Sequence, residues 1–587
     1  MRRVSLGVLC GLVAVAGAAV RGDASGTREG HFHATRPLKI AKLDSTLLRH
    51  RGRVRVELIA NRPPQARALV AREGGRVETA YGRLVEALVP AAALRTLAHS
   101  DDVRFVGVPA QPIPEEVHGQ GVLTTGAAAW HRAGALGAGV KVAVVDIGFD
   151  GYRKSQANGD LPRSAVKVDL CPDGGFTATN HGTAVAEIVA EMAPSAKLYL
   201  VCAQSVPALG LTVAYARAHG IQIISHSVSW LNTSRGDGTG AADTPEGIVA
   251  AARAAGILWV NAAGNRAEQH WSGGFVDTNA NGWHEFAPGD EGNTISVRPG
   301  AYVCAALKWD DWAVSAEDYD LYITRSPGGS IVASSTGAQL GAEPPTELVC
   351  KINGSGATET YAIAIRASRV TGRPVRFDLF VYPGPNLEHR VPEASVTEPG
   401  TSPAALTVGA LCWQDSSLEP YSSRGPTIDG RVKPDLVGPD SVSSFAFGTF
   451  VSCGGAGGFA GTSASAPHVA GAAALVKQAN PAFGPDELQG YLEQRAVDLG
   501  VAGKDPEFGS GALALAGAPR LPLRDCIVPR LVGRRLATAR SQLARAGCRL
   551  GRVRRARSRR RGRVLRQHPR SGTRLAPRSR VSLVVGR

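Results

Sequence analysis

Three short motifs place an aspartate, a histidine and a serine in that order along the chain. Asp146 ends the buried-strand pattern VAVVD, His181 opens the helical pattern HGTAVAEIVAEM, and Ser463 lies within GTSASAPHVAG. A serine hydroxyl is a weak nucleophile until a base removes its proton, and a neutral histidine can take that proton. A carboxylate can orient the imidazole and stabilise its charged form. These residue types therefore predict nucleophilic acyl-transfer chemistry.

Each of these residues also has an ordinary structural explanation. An aspartate after a strand is often a turn former, and a histidine or serine at the start of a helix is often only a cap. The joint order of three extended motifs favours the chemical interpretation. Ser465, in the same turn as Ser463, is then expected to be a structural neighbour rather than a nucleophile.

The chain resembles the subtilisin-like serine proteases, the subtilases, in five segments. These are DIGFDG around Asp146, HGTAVAEIVA around His181, GTSASAPHVAGAAAL around Ser463, NAAGN at 261–265 and YSSRGPTIDGRVKPDLVGP at 421–439. The resemblance implies a serine endopeptidase with an Asp146-His181-Ser463 triad that needs no cofactor for its chemistry. It also implies proteins or peptides as substrates, and we expect the protein to be a monomer. The competing hypothesis is a catalytically inactive subtilase scaffold that acts as a cell-wall binding protein.

The resemblance also assigns residues around the triad. The Asn265 side chain and the Ser463 backbone N-H are expected to stabilise the oxyanion of the tetrahedral intermediate. The substrate pocket is expected to be walled by two segments, Ser229, Trp230 and Leu231 in the first and Ala262, Ala263 and Gly264 in the second.

Continuous apolar strands alternate with helices over 121–267 and again over 393–518. This pattern predicts an α/β fold with a mostly parallel sheet and helices on both faces. The stretch at 268–392 instead has period-two strands and Gly, Pro and Asp turns, which predicts an inserted all-β sandwich. It resembles the jelly-roll accessory domains of large secreted subtilases.

The first 25 residues have a charged start, an apolar run and small residues, which together predict a signal peptide and export. The alternative is a membrane anchor. Within 26–120, a linker precedes a β-α-β-β-α-β pattern, which predicts a small α+β, ferredoxin-like unit. This unit resembles the inhibitory propeptides of subtilases, with processing expected between 108 and 126; the alternative is an ordinary accessory domain.

Eight cysteines follow Cys10, which lies in the amino-terminal apolar run. An oxidising compartment favours disulfides, and pairing within each segment is the simplest of the many possible connectivities. The expected pairs are Cys171 with Cys202, Cys304 with Cys350, Cys412 with Cys453, and Cys526 with Cys548.

The loop DTNANGWHEF offers Asp277, Asn279 and Asn281, the first half of an oxygen-rich calcium loop. Position 12 of that pattern is Pro288 rather than glutamate, so the EF-hand pattern is incomplete. A structural calcium ion and a turn without metal are both compatible with this sequence.

The net charge of +16 is a property of the carboxyl-terminal tail. Residues 520–587 hold 22 Arg, no Lys and one Asp, so the remainder of the chain is mildly acidic. Residues 525–587 resemble a PASTA module, a small α+β unit, which implies peptidoglycan or anionic wall polymers as partners. Simple solvated basicity is the alternative. Nucleic acid is not expected, because the protein is predicted to be exported and the tail lacks aromatic residues for stacking.

Overall fold

The computed structural model describes residues 42–109, 113–114, 120–384, 386–453, 457–517 and 519, together with three short strands between 526 and 583. The expected signal peptide at 1–25 lies outside the described residues.

An amino-terminal unit of four antiparallel strands and two helices occupies residues 42–109. Its strand order is β2-β3-β1-β4, and its element order is the one that the sequence pattern predicts. Alternate residues of β1 are buried, and Val56 and Leu58 pack against Leu69 and Leu97 of the helices. The elements are β1 (Arg53–Ala60), α1 (Pro63–Arg72), β2 (Arg76–Tyr81), β3 (Leu84–Pro90), α2 (Leu94–His99) and β4 (Val103–Gly107). A two-residue strand, β5 (Ile113–Pro114), follows this unit.

A seven-stranded parallel sheet forms the centre of the molecule. The first part of the chain contributes α3 (Ala127–Arg132), β6 (Lys141–Asp146), α4 (Tyr152–Asn158), β7 (Val166–Asp169), α5 (His181–Met192), β8 (Lys197–Cys202), α6 (Val206–His219), β9 (Ile223–His226), β10 (Val228–Ser229), α7 (Pro245–Ala254) and β11 (Leu258–Ala262). All of these strands except β10 join the large sheet, whose order is completed by two strands that come after the insert.

Eight strands between residues 270 and 382 form the inserted domain. They are β12 (His270–Gly274), β13 (Asn293–Val297), β14 (Tyr302–Trp309), β15 (Asp318–Arg325), β16 (Ile331–Ser335), β17 (Thr346–Ile352), β18 (Glu359–Arg369) and β19 (Arg376–Tyr382). They make two antiparallel four-stranded sheets, ordered β12-β19-β14-β17 and β13-β18-β15-β16. Both sheets contribute to one apolar core that includes Leu307, Leu321, Ile363 and Phe377.

The chain then returns to the large sheet with β20 (Ala405–Cys412), β21 (Leu436–Asp440), α8 (Thr462–Ala479) and α9 (Pro485–Glu493). The complete order is β21-β20-β11-β9-β6-β8-β7, and every pairing within it is parallel. Val142 and Val144 belong to one core with α5 and α8, whereas Ala143 and Val145 belong to a second core with α6 and α7. Helices therefore cover both faces, as predicted.

Within the described residues, three disulfides are present, and each joins two cysteines of the same segment. Cys171 is bonded to Cys202, Cys304 to Cys350, and Cys412 to Cys453. They are the first three pairs that the sequence analysis favours. Cys548 of the fourth pair lies outside the described residues.

The tail contributes three short strands, β22 (Cys526–Val528), β23 (Arg563–Val564) and β24 (Val581–Leu583), in the order β22-β24-β23. None of the helices that the structure describes combines the length and the apolar character needed to cross a bilayer.

The amino-terminal unit is docked on the large sheet's helix α6. Leu84 is buried in the core that contains Val206 and Leu209 of that helix. Tyr81 lies against Gly210 so closely that a Cβ atom there would stand 2.2 Å from the tyrosine ring. Arg83 adds an ion pair with Asp243 at 3.1 Å. Glycine at position 210 therefore permits this contact.

Candidate active site

Asp146 and His181 meet at the carboxyl edge of the parallel sheet. Asp146 is the last residue of β6 and His181 is the first residue of α5. His181 Nδ1 lies 2.8 Å and 2.9 Å from the two Asp146 carboxylate oxygens. The side chains are 2% and 0% exposed, so this hydrogen bond is made out of contact with bulk water. The carboxylate also accepts from the Ile147 backbone N-H at 2.8 Å.

The approach of α5 to β6 depends on Gly182. A Cβ atom at this position would lie 2.5 Å from the Gly148 carbonyl oxygen and 2.7 Å from Asp146 Cβ. Gly182 N-H instead donates to the Gly148 carbonyl at 3.0 Å. The glycine after the histidine thus lets the helix start close enough for the imidazole to reach the carboxylate.

Ser463 is the second residue of α8 and is fully buried. Its hydroxyl donates to the Ser227 carbonyl at 3.1 Å, and the Ser227 hydroxyl donates to the Ser463 carbonyl at 3.0 Å. Pro467, one turn later, has no N-H with which to bond the Ser463 carbonyl. The proline therefore makes that carbonyl available to Ser227 and ties the start of α8 to the chain just before β10.

Asn265 lies three residues after β11 and faces the start of α8. Its side-chain Oδ1 accepts hydrogen bonds from Thr462 N-H at 2.9 Å and Thr462 Oγ1 at 3.0 Å. Thr462 Oγ1 also accepts from Gly264 N-H at 3.1 Å. These bonds fix which end of the amide faces the helix, so Nδ2 is the end that can donate elsewhere.

The backbone just before α8 is held by Asp440, the last residue of β21. Asp440 accepts from Gly461 N-H at 2.7 Å and from the hydroxyls of Tyr421 and Ser441. Burial raises the pKa of Asp440 to about 8, and burial likewise raises the pKa of nearby Glu419 to about 7. Ser465 donates to the carbonyls of Gly438 and Pro439, a structural role.

The six residues expected to wall the pocket lie on β10, on the segment after it, and at the end of β11. Ser229 Oγ is 2.7 Å from Thr397 Oγ1, and Thr397 N-H donates to the Ala263 carbonyl at 3.0 Å. Thr397 therefore bridges the two expected walls. The Trp230 side chain is fully buried in the core shared with α6 and α7, so its backbone, rather than its indole, lies along the wall.

The edge of β10 carries a second segment of the same chain. β5 pairs antiparallel with it, Ile113 opposite Ser229 and Pro114 opposite Val228. β10 is directly preceded by Ser227, the partner of Ser463. A peptide strand is thus added to the edge beside the nucleophile candidate.

Sequence reasoning missed four residues that organise this site: Ser227, Thr397, Asp440 and Thr462. Thr462 and Asp440 lie within or beside the quoted motifs, so their polar side chains were a usable signal. Thr397 is 168 residues from Ser229 and follows the insert, and no local pattern connects the two.

The expected calcium loop uses its oxygens in local turns. Asp277 accepts from the backbone N-H groups of Asn281 and Gly282, and Asn279 Oδ1 accepts from Asn281 N-H. The Asn279 and Asn281 amides both contact the Glu291 carboxylate, at 3.0 Å and 2.6 Å. The loop thus gathers two carboxylates and two amides.

Most of the chain matches the models of two known protein families. Residues 137–357 and 375–511, together more than half of the chain, match the family described as "Subtilase family". Residues 527–587 match the PASTA domain.

Several curated proteases are similar to parts of the chain. Serine protease AprX of Bacillus subtilis (strain 168) is 35% identical over 20% of this chain and 30% of its own length. The extracellular serine protease of Serratia marcescens is 26% identical over 36% of this chain and 20% of its own. Subtilisin Savinase of Lederbergia lenta is 27% identical over 38% of this chain and 87% of its own. This chain therefore spans less than a third of the length of AprX and of the Serratia marcescens protease.

Among solved structures, the Clostridium perfringens CspB protease aligns with 66% of this chain and 94% of its own, with a TM-score of 0.45 and 15% identity. The parallel sheet and the family match agree with the fold that the sequence predicts. On the family match, this chain belongs to the subtilase family.

Proposed function

We propose that the protein is a serine endopeptidase that hydrolyses peptide bonds through Asp146, His181 and Ser463. The observation that carries this proposal is the buried His181 imidazole held by both Asp146 carboxylate oxygens, at the sheet edge where α8 begins. The matched family and the serine proteases among the relatives support it. Nothing in those relatives supports the alternative of an inactive scaffold.

In the proposed mechanism, neutral His181 takes the Ser463 hydroxyl proton as that oxygen attacks the substrate carbonyl. The tetrahedral intermediate carries an oxyanion, which the Asn265 Nδ2 amide and the Ser463 backbone N-H stabilise. His181 then gives the proton to the leaving amine, and water hydrolyses the acyl-enzyme by the reverse sequence. Asp146 keeps Nδ1 protonated, so Nε2 is the nitrogen that exchanges the proton.

A fluorophosphonate probe tests this proposal because it reacts only with an activated serine. Processed wild-type protein should be labelled stoichiometrically and should cleave an unfolded protein substrate. Ser463→Ala should do neither, whereas Ser465→Ala should keep both activities if it folds. Equal labelling of wild type and Ser463→Ala would overturn the assignment.

We also propose that the protein is made as a zymogen, with the unit at 26–120 as an inhibitory propeptide. The docking of this unit on α6 and the pairing of β5 with β10 support the proposal, because β5 occupies the edge that a substrate strand would use. Gln120 bonds Ser443 of the peptidase part at 2.7 Å. We therefore expect cleavage between Pro114 and Gln120, which amino-terminal sequencing of secreted protein would check.

Export of the protein and retention at the cell wall are part of the proposed function. The PASTA match at 527–587 and the density of arginine in the tail support binding to peptidoglycan or anionic wall polymers. Sedimentation with purified wall should retain the full chain and lose a chain that ends at residue 519. Equal retention of both would remove this role.

A structural calcium ion at Asp277, Asn279 and Asn281 is a further proposal, supported by the nearby Glu291 carboxylate. We expect calcium to raise the thermal midpoint of the wild type but not of Asp277→Ala. Calcium titration with and without chelator would show an unchanged midpoint if no ion binds.

A further inference from the structure

A buried glutamate lies on the helix that carries the proposed base. Glu187 is on α5, six residues after His181, and is 1% exposed. Its carboxylate accepts from the Ser155 hydroxyl at 2.7 Å and from the Ala446 backbone N-H at 3.2 Å. Both donors are neutral groups, and burial raises the pKa of Glu187. A carboxylate at this position is therefore costly, and what it secures is the backbone of Ala446.

The loop that contains Ala446 is held from two positions at the start of α5. Asn180, the residue before His181, donates from Nδ2 to the Ala446 carbonyl at 3.0 Å. Glu187 thus holds the N-H of Ala446, and Asn180 holds its carbonyl. The N-H of the next residue, Phe447, donates to Ser444 Oγ at 3.1 Å. These bonds fix the loop to the helix beside His181.

Two aromatic rings connect this loop to the imidazole. The ring centroids of Phe447 and Phe459 are 5.0 Å apart, and those of Phe459 and His181 are 5.4 Å apart, with the latter ring planes at 63°. Phe459 is fully buried, and its N-H donates to the Val442 carbonyl at 3.0 Å. The bond to Asp146 fixes one edge of the imidazole. The Phe459 ring restricts rotation about that bond.

The same loop leads into the helix that carries the nucleophile candidate. Phe459 is four residues before Ser463, and Gly461, between them, donates its N-H to Asp440 at 2.7 Å. The loop therefore joins the start of α5 to the start of α8. Its placement helps to set the separation between base and nucleophile, for which an error of about 1 Å can cost about 10²-fold in rate.

We propose that Glu187 is a positioning residue that, by holding the Ala446 backbone, keeps the His181 imidazole directed at the nucleophile. The two phenylalanine rings transmit this effect. The inference rests on the proposed endopeptidase function. Because Glu187 acts through the base, its contribution should appear in turnover and not in substrate binding. A residue that only stabilised the fold would change the amount of active protein, but not the turnover of each active molecule.

The test is the turnover of the processed full chain, expressed per active site titrated with a fluorophosphonate probe. We expect Glu187→Ala to lower kcat by about 10- to 100-fold, because a small displacement of the base suffices for that loss. The KM should stay close to that of wild type. Glu187→Gln should restore most of kcat, since its amide oxygen can accept from Ala446 and its amide nitrogen can donate to Ser155. Glu191→Ala, an exposed change on α5, is the matched control and should keep the wild-type kcat.

Phe447→Leu tests the same path without removing a buried carboxylate. It should also lower kcat, and the double variant Glu187→Ala, Phe447→Leu should lose less than the product of the two single losses, because both changes act on one chain of contacts. If Glu187→Ala yields no titratable sites, the comparison of Phe447→Leu with wild type decides the proposal.

A wild-type kcat per active site in Glu187→Ala or in Phe447→Leu would overturn the positioning role alone. So would a Glu187→Gln variant that is as slow as Glu187→Ala. A wild-type protein without any Ser463-dependent labelling would instead overturn the endopeptidase function, and this role with it.

Discussion

The proposed chemistry depends on the hydrogen bond between the Asp146 carboxylate and His181 Nδ1. Asp146→Asn keeps the shape of the side chain but offers an amide N-H toward Nδ1, which stabilises the wrong tautomer. We expect kcat to fall by about 10⁴-fold, with the fold retained. Asp150→Asn, an exposed change in the same loop, is the control and should keep wild-type turnover in a peptide hydrolysis assay. Equal rates for Asp146→Asn and wild type would contradict the assigned role.

Two buried carboxyls near the start of α8, Asp440 and Glu419, predict that the stability of the protein depends on pH. Asp440 has a folded pKa of about 8 against an ordinary value near 3.8, so the folded state keeps a proton that the unfolded state loses between these values. The stabilisation is therefore complete below about pH 4 and is lost as the pH rises toward 8. Each pH unit in that window costs up to about 1.4 kcal/mol.

Asp440→Asn supplies a neutral side chain of the same size and removes this dependence. We expect the variant to gain stability relative to wild type between pH 5 and pH 8, measured as thermal midpoints across that range. The variant should keep a smaller dependence of stability on pH, because Glu419 is still present and burial raises its pKa to about 7. Asp101→Asn, on the exposed surface of the amino-terminal unit, is the control, and its thermal midpoints should follow those of wild type at every pH. If the thermal midpoints of Asp440→Asn and wild type change with pH in the same way, the prediction is refuted.

The local motifs were enough to propose Asp146, His181, Ser463 and Asn265 as site residues, because each lies at or near the end of a strand or the start of a helix. They were not enough for Thr397 or Asp440. Thr397 follows the insert, 168 residues after Ser229, and Gly461 lies 21 residues after Asp440 in the sequence. Contacts of this kind depend on tertiary structure and leave no periodic signal.

At the scale of elements, strand β14 of the insert is tied to the peptidase part by a buried ion pair. Lys308 bonds the Glu398 carboxylate and also donates to the Ser234 carbonyl at 3.3 Å. Glu398 is 2% exposed, and its backbone carbonyl accepts from Trp230 N-H beside the expected pocket. The insert thus contacts the chain that forms one pocket wall.

Lys308→Met should be strongly destabilising, because it leaves the Glu398 charge buried without its partner. We expect a loss of about 3–5 kcal/mol in the free energy of unfolding, measured by chemical denaturation. The double variant Lys308→Met, Glu398→Gln should recover most of the loss. Arg325→Met, which breaks the exposed Arg325-Glu359 pair of the same domain, should change stability by less than about 1 kcal/mol. No difference between the two single variants would contradict this account.

Strand and helix patterns predicted the parallel sheet, the amino-terminal β-α-β-β-α-β order and the antiparallel insert, since each pattern reflects which faces are buried. Patterns could not predict that β5 adds to β10, because a two-residue strand has no periodicity. Nor could they place the amino-terminal unit on α6, since that docking depends on the shape of Tyr81 and Gly210 together.

At the scale of the whole molecule, the contact between Tyr81 and Gly210 predicts how the amino-terminal unit of the proposed zymogen is held. Gly210→Ala adds a methyl group that would meet the Tyr81 ring, and within a helix alanine is otherwise favourable by about 1 kcal/mol. We expect the variant's peptidase part to keep its stability while inhibition by added residues 42–114 weakens at least 10-fold in a titration. Ala214→Leu, on the exposed side of α6, should leave inhibition unchanged. Equal inhibition of Gly210→Ala and wild type would show that the contact does not hold the unit.

The first and last strands of the insert, β12 and β19, pair side by side, with His270 opposite Phe380. The Glu268 carbonyl also accepts from Leu387 N-H, so the chain leaves and rejoins the peptidase part at nearly one point. Because its two ends lie close together, the insert can in principle be replaced by another segment. A short turn or a foreign domain spliced there would keep the chain spacing at Asn265, and it would remove the partners that the insert gives to Glu398 and Asn232. In the proposed endopeptidase, this junction is a place to graft a recognition module a few residues from Asn265, and so to redirect proteolysis without changing Asp146, His181 or Ser463.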